Sequence, residues 1–320
     1  MEIVRGLERI TPSHIPAVAA LGTFDGVHRG HQVLLLEAVR IAAEQGGRAA
    51  AITFDPHPLA VIAPPPEPFL LTTVQERLAL LERLGLALVI VVPFDEAVRQ
   101  LPSEAWMQRL AEHVRMRDLV CGTNYTFGRD RSGTVELLRA WAGARGIRVH
   151  VVPPVHVGGT LVGSTLIRRL LRAGEVREAA RCLGRWYVLG GTVVHGDARG
   201  RRLGFPTANL EPPDEKLIPG SGIYAALART ERGVFRAAVS IGNRPTFGRG
   251  AVVVEAYLLG FAGELYGEPL ALSFVQRLRD QIAFTSEAAL IRQMQDDVAE
   301  TARLLEDAAG PPGEDPTRAP

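Results

Sequence analysis

The sequence predicts two folded bodies in series: an open parallel α/β sheet, then an antiparallel β-barrel with a C-terminal helix. Three observations carry this. The chain has 320 residues, more than one hydrophobic core ordinarily spans, so two domains are expected. Up to residue 184, short continuous apolar runs alternate with segments of helical period, the pattern of βα units. Beyond it, strand-like runs follow one another with glycine turns and no long helix between them, the pattern of a closed antiparallel sheet. The expected domains are therefore 1–184 and 185–307, followed by a disordered tail over 308–320, which is rich in Pro, Gly and charge.

The elements follow in order. Residues 15–21 form a buried first strand and 33–44 a helix. A second strand over 48–54 leads through a proline-rich loop (63–68) to a helix over 73–84. Residues 86–92 read as a central parallel strand, 103–115 as a helix and 118–121 as a strand. A glycine- and charge-bearing loop (122–133) precedes a helix over 134–145 and a strand over 147–152. One helix is expected from residue 163 to about 183. Barrel strands are expected over 188–195, 223–228, 235–241, 252–259 and 270–275. The last helix, 286–305, carries Leu290, Met294, Val298 and Leu305 on one stripe.

Composition narrows the function. The formal net charge is +1, with 36 basic against 35 acidic residues, so no overall field draws nucleic acid or anionic membrane. Charges at Glu2, Arg5, Glu8 and Arg9 rule out a signal peptide. No apolar run approaches the ~18 residues of a membrane span, and the expected location is the cytoplasm. Cys121 and Cys182 have no metal-ligand spacing and suit a reducing compartment as small buried hydrophobes. Lys216 is the only lysine. A Walker A loop and a protein-kinase strand lysine are thereby excluded. Any phosphate chemistry must use Arg, His, backbone N–H groups and a metal. The expected partners are small molecules, and a homo-oligomer is compatible with every motif.

The first half concentrates its unusual residues just beyond predicted strand ends. L-G-T-F-D-G-V-H-R-G-H-Q (21–32) sets glycines at 22, 26 and 30 before a helix, with His28 and His31 three apart on one face. The helix N-terminus favours an anion, and two imidazoles complete a phosphate cradle. T-F-D-P-H-P (53–58) and G-T-N-Y-T-F-G (122–128) also follow strands. In open α/β sheets ligands bind in that crevice. G-S-T-L-I-R (163–168) opens a helix, where Ser164 or Thr165 is a natural N-cap.

In the second half, G-D-A-R-G-R-R-L-G-F-P-T-A-N-L (196–210) combines a glycine-rich loop with a stiffening Pro206. Thr207 and Asn209 offer a hydroxyl and a carbonyl oxygen, hard ligands suited to Mg²⁺. V-V-V-E-A-Y-L (252–258) alternates and places Val253, Glu255 and Tyr257 on one face. A carboxylate held among valines is expected to be partly desolvated, as a general base requires.

Together these motifs resemble, in order and over residues 14–305, the bacterial bifunctional riboflavin kinase/FMN adenylyltransferase family, also called FAD synthetase. H-x-G-H alone is shared by the nucleotidyltransferase superfamily; F-D-G-V-H is far narrower. The resemblance implies a Rossmann-like nucleotidyltransferase domain and a riboflavin kinase-like barrel. It puts Gly22, Phe24, Asp25, His28 and His31 in the nucleotide loop. Asp55, Pro56 and Pro58 border the flavin, and Asn124 contacts the nucleotide where many members carry Asp. Thr165 and Arg168 reach the ATP phosphates and Ser164 counts among the ligand-binding residues, although Gly163 and Leu166 depart from the usual pattern. In the barrel it implies ligand contacts at Gly196, Arg201, Gly204 and Pro206, metal ligands at Thr207 and Asn209, and Glu255 as base. F-A-G-E-L-Y-G (261–267) and V-Q-R-L-R-D-Q (275–281) also resemble family segments, with Arg277 or Arg279 toward the ligand. The implied chemistry is ATP-dependent conversion of riboflavin to FMN and of FMN to FAD, with Mg²⁺. The alternative is a riboflavin kinase whose N-terminal half is degenerate.

Overall fold

The computed structural model describes residues 1–196, 200, 203–243 and 252–306. By its contacts the chain divides into two compact units, Met1–Ser164 and a second that starts at Thr165.

The first unit is built on a six-stranded, all-parallel sheet of order β1-β4-β3-β2-β5-β6. Its elements are β1 (Glu2–Arg5), β2 (Val18–Leu21), α1 (Arg29–Glu44), β3 (Ala49–Asp55), α2 (Pro58–Ile62), α3 (Val74–Arg83), β4 (Leu88–Pro93), α4 (Glu96–Arg99), α5 (Ser103–His113), β5 (Asp118–Gly122), α6 (Val135–Gly143) and β6 (Arg148–Val152). A small hairpin, β7 (His156–Val157) and β8 (Thr160–Leu161), follows. Every residue of β2 is buried, because helices cover both faces of the sheet. Ala19, Leu21, Ala50, Ile52, Leu88 and Ile90 belong to one apolar layer; Val18, Ala20, Ala51, Val89 and Val91 belong to the other. Each fully buried aliphatic side chain contributes about 1.5–3 kcal/mol. From β2 the strand order runs outward through β3 and β4 on one side and β5 and β6 on the other. The carboxyl end of β2 is therefore the topological switch point, where such sheets bind ligands.

Helix α7 (Ser164–Arg172) starts on the last residue of the first unit and leads, with α8 (Val176–Leu183), into the second. The second unit continues as a closed barrel of β9 (Tyr187–Val194), β10 (Ala208–Glu211), β11 (Gly222–Thr230), β12 (Gly233–Asn243), β13 (Val252–Leu258) and β14 (Pro269–Arg279), then α9 (Glu287–Leu304). All of its pairings are antiparallel, in the cyclic order β10-β13-β12-β11-β14-β9.

Four differences from the sequence reading have physical causes. Strand β1 was not expected, because an edge strand carries charges that blunt it; only Val4 of its four residues is buried. Strand β10 lies where a turn was expected, and its four residues close the barrel between β9 and β13. Helix α1 begins at Arg29 rather than at residue 33, since His28 caps it. The single helix expected over 163–183 is two, broken at Gly174 (φ 76°), where a Cβ would lie 2.6 Å from the Arg277 side chain.

Candidate active sites

The first site lies beyond β2. The chain turns there with positive φ at Phe24 (51°), Gly26 (82°) and Val27 (37°). Left-handed backbone at two non-glycine residues persists only where the surroundings hold it, and both side chains are fully buried. Asp25 is the anchor. Its buried carboxylate accepts the N–H groups of Leu71 (3.1 Å) and Thr72 (3.0 Å) and the Thr72 hydroxyl (3.1 Å). The same hydroxyl oxygen accepts Gly26 N–H at 3.0 Å. Phe24 and Asp25, expected as ligand contacts, thus lie inside the fold, where they shape the loop.

His28 is the N-cap of α1, and its Nδ1 accepts His31 N–H at 3.3 Å. That bond assigns the ring proton to Nε2, a donor suited to an anion. The two imidazoles stack at 3.6 Å with planes 18° apart, and Phe24 meets His31 edge-on at 5.3 Å. Gly30 passes beside this pair, so close that a Cβ would sit 3.2 Å from the His28 ring.

At the carboxyl edge of β3 and β4 lies a cavity of about 420 Å³ walled by Phe54, Pro58, Phe94, Trp106 and Phe127, with Arg99, Arg129 and Arg131 also lining it. Phe54 meets Phe94 edge-on at 5.5 Å, and Trp106 lies 5.7 Å from it with planes 39° apart. Flat aromatic walls suit a planar conjugated ring. Of the D-P-H-P residues only Pro58 lines it. Asp55 is half-exposed and accepts from Arg5 at 3.5 Å, and Pro56 is exposed behind a cis bond. Phe94, Trp106 and Phe127 were missed because aromatics at apolar positions read as core. Asn124 is exposed just past β5. Ser164 donates to the Asp25 carbonyl at 3.0 Å. Thr165 and Arg168 stand on α7, within the second unit.

The second site lies on the outer face of the barrel. A cavity of about 420 Å³ is lined by Gly200, Phe205, Thr207, Ser240, Glu255 and Tyr257 on the barrel side and by Phe284, Leu290, Met294 and Val298 facing it. Val254 and Ala256 point inward and are buried, while Glu255 between them is half-buried. Glu255 therefore has Thr207, Ser240 and Tyr257 for company, with Val239 and Val298 lining the same cavity. Strand register sets Glu255 opposite Asn209 on one side and Ser240 on the other, so the strand missed in the sequence brings the expected base beside the expected metal ligand. Asn209 is closely packed: a Cβ on Gly196 would lie 2.3 Å from its Nδ2, and one on Gly200 would lie 3.1 Å from Thr207 Oγ1. Gly204 (φ 86°) and Pro206 are exposed on the same segment; Arg201 lies outside the described residues.

Arg279 lines this cavity, but its donors are engaged. Nε and one Nη bond Asp297 of α9 at 2.8 and 2.6 Å, and the other Nη bonds the Asp280 carbonyl. Arg277 does not line it; that guanidinium bonds Ser221 O at 2.7 Å and Asp280 at 2.5 Å. Asp297 was missed because a buried acid on a helix face reads as solvated in a sequence. A third cavity, about 310 Å³, runs beside Pro206, Thr207 and Ala208 to Phe261 and Tyr266, where His195 stacks on Tyr266 at 3.8 Å.

These two units define a class: a nucleotidyltransferase-type sheet with stacked histidines at its switch point, joined to a barrel carrying a carboxylate beside hard oxygen donors. Residues 10–166 match the FAD synthetase family model and residues 183–305 the riboflavin kinase model. The bifunctional riboflavin kinase/FMN adenylyltransferase of Listeria monocytogenes is 35% identical over 90% of this chain and 92% of its own length. That of Pseudomonas fluorescens is 34% identical over 95% and 98%. A crystal structure from Streptococcus pneumoniae, described as a macrolide-efflux protein, has a TM-score of 0.86 at 31% identity, covering 94% of this chain and 99% of that one. The chain belongs to the bifunctional riboflavin kinase/FMN adenylyltransferase family.

Proposed function

We propose that this chain phosphorylates riboflavin to FMN at the barrel and adenylylates FMN to FAD at the parallel sheet, with ATP as co-substrate in both steps. The observation that carries it is that each compact unit has its own cavity, lined in the barrel by Thr207 and Glu255 and set in the sheet at the same carboxyl edge that carries the His28–His31 loop. In the barrel, the apolar wall of α9 receives the flavin ring and Glu255 takes the proton of the ribityl 5′-hydroxyl. The oxygen attacks the ATP γ-phosphorus and ADP leaves. In the sheet, the FMN phosphate attacks the ATP α-phosphorus and pyrophosphate leaves. This nucleophile is already an anion, so His28, His31 and the α1 N-terminus supply positioning and charge stabilisation rather than a base. The aromatic cavity of Phe54, Pro58 and Trp106 receives the ring, and the cavity beside Pro206 and Tyr266 suits the kinase nucleotide.

Thr207 and Asn209 fit Mg²⁺: both offer neutral oxygen donors, and each packs against a glycine that leaves no space for a Cβ, Gly200 beside Thr207 and Gly196 beside Asn209. Among the described residues no cluster of three His, Cys, Asp or Glu could form a cage, so phosphate oxygens and water would complete the coordination. A bound Mg²⁺ neutralises phosphate charge there. No described helix is long and apolar enough to cross a membrane. Both cysteines are free and buried, in keeping with a cytoplasmic enzyme.

Purified chain incubated with riboflavin, ATP and Mg²⁺, with flavins separated by chromatography, is expected to accumulate FMN and then FAD. FMN without FAD would identify a kinase with an inert first unit. The absence of both would refute the assignment.

A further inference from the structure

Arg77, in the first turn of α3, is 1% exposed and among the largest fully buried side chains of the molecule. Amphipathic helices do not bury an arginine without a partner, because desolvating a charge is expensive. Here one nitrogen does nearly all the bonding. Nη1 donates to Thr23 O at 2.8 Å, Thr53 Oγ1 at 2.9 Å and Phe54 O at 3.1 Å. The Thr53 hydroxyl in turn donates to Thr23 O at 2.8 Å. Nε–H has no acceptor among the described residues. Burial pulls the guanidinium below the usual arginine range, and the charges of Asp25 and Asp55 oppose that fall.

The three acceptors come from two segments. Thr23 belongs to the loop that carries His28 and His31; Thr53 and Phe54 belong to the end of β3, where Phe54 walls the aromatic cavity. We infer that Arg77 is a positioning residue for adenylyl transfer, a single buried donor that fixes the nucleotide loop against the wall of the flavin cavity. The inference rests on the function proposed above for this site. Arg77 touches neither substrate. It sets the spacing between the two halves that hold them, and displacement of reacting groups by about 1 Å costs on the order of 10²-fold.

The geometry further specifies the kind of donor. A guanidinium Nη has two hydrogens and cannot serve three acceptors fully, whereas an ammonium has three. The unused Nε shows that the planar fork is not exploited. The site is shaped for a point donor, so lysine, one atom shorter, should replace Arg77 in function.

The test compares Arg77→Met and Arg77→Lys in the full chain, with FMN formation as the control for the rest of the molecule. Arg77→Met should lower kcat for FAD formation by about 10²-fold, leaving both KM values within about threefold of wild type. Arg77→Lys should recover kcat to within about threefold of wild type. A Met variant with unchanged kcat, or with its loss confined to KM, overturns the inference. Should Arg77→Met fail to fold, shown by a missing thermal transition, Arg77→Lys decides: a folded Lys variant slowed by about 10²-fold also overturns it. A wild-type chain that forms no FAD would instead overturn the assignment of the site, and this inference with it.

Discussion

His28 combines two tasks in one ring: Nδ1 caps α1 and Nε2 carries a proton to the place where an anion is expected. Replacing it by alanine removes both a helix cap and a preorganised donor. Loss of such a donor costs about 2.7–4 kcal/mol, so His28→Ala should lower FAD formation from FMN by about 10²–10³-fold. FMN formation should persist; an equal fall in both activities would show that the halves are not independent. Glu255→Gln is the complementary change. It keeps shape but removes the proton acceptor, so FMN formation should fall by about 10²–10⁴-fold, while FAD formation from supplied FMN stays near wild type. Stopped assays with each flavin as sole substrate check both. At this scale the polar motif residues were legible, because few structural reasons put H-x-x-H or P-T-A-N after a strand. Arg77, Trp106 and Asp297 were not. A buried arginine, a cavity-lining tryptophan and a buried aspartate look, in a sequence, like a solvated cation, a core residue and a solvated anion.

Elements explain which of those hidden residues matter. The stripe Leu290, Met294 and Val298 was legible as an apolar helix face, yet all three are only half-buried and line the barrel cavity. What holds α9 in place includes the two-bond contact of Asp297 with Arg279, with Gln293 donating to the same carboxylate at 3.1 Å. Asp297→Asn keeps the volume but loses the charge-assisted pair, and hydrogen bonds to charged groups contribute about 1.5–3 kcal/mol. The variant should lose about that much unfolding free energy in urea titration and show a raised riboflavin KM, with adenylyl transfer unaffected. Wild-type values for both would mean that apolar contacts alone seat the helix. Strands β1 and β10 escaped the sequence for opposite reasons: one is a charged edge, the other four residues inside a functional motif. Only pairing with β9 and β13 reveals β10 as the last stave of the barrel.

At the level of the whole molecule, the change from helix-separated strands to contiguous ones was legible because it is a property of long stretches, insensitive to any one residue. The two cavities differ in a way that no motif announces. The sheet cavity has Trp106 in its wall; the barrel cavity has no tryptophan among its described lining residues. Indole emits in the range where flavins absorb, and a flavin seated against Trp106 should extinguish that emission. FMN titrated into the chain without ATP should therefore quench the Trp106 share of the fluorescence, and Trp106→Phe should abolish that component. Quenching unchanged in Trp106→Phe would place the flavin elsewhere. With three tryptophans in the chain and one of them set in the wall of the cavity proposed for adenylyl transfer, the protein would carry an optical gauge of its own, one that reports how full the second station is while the first is still at work.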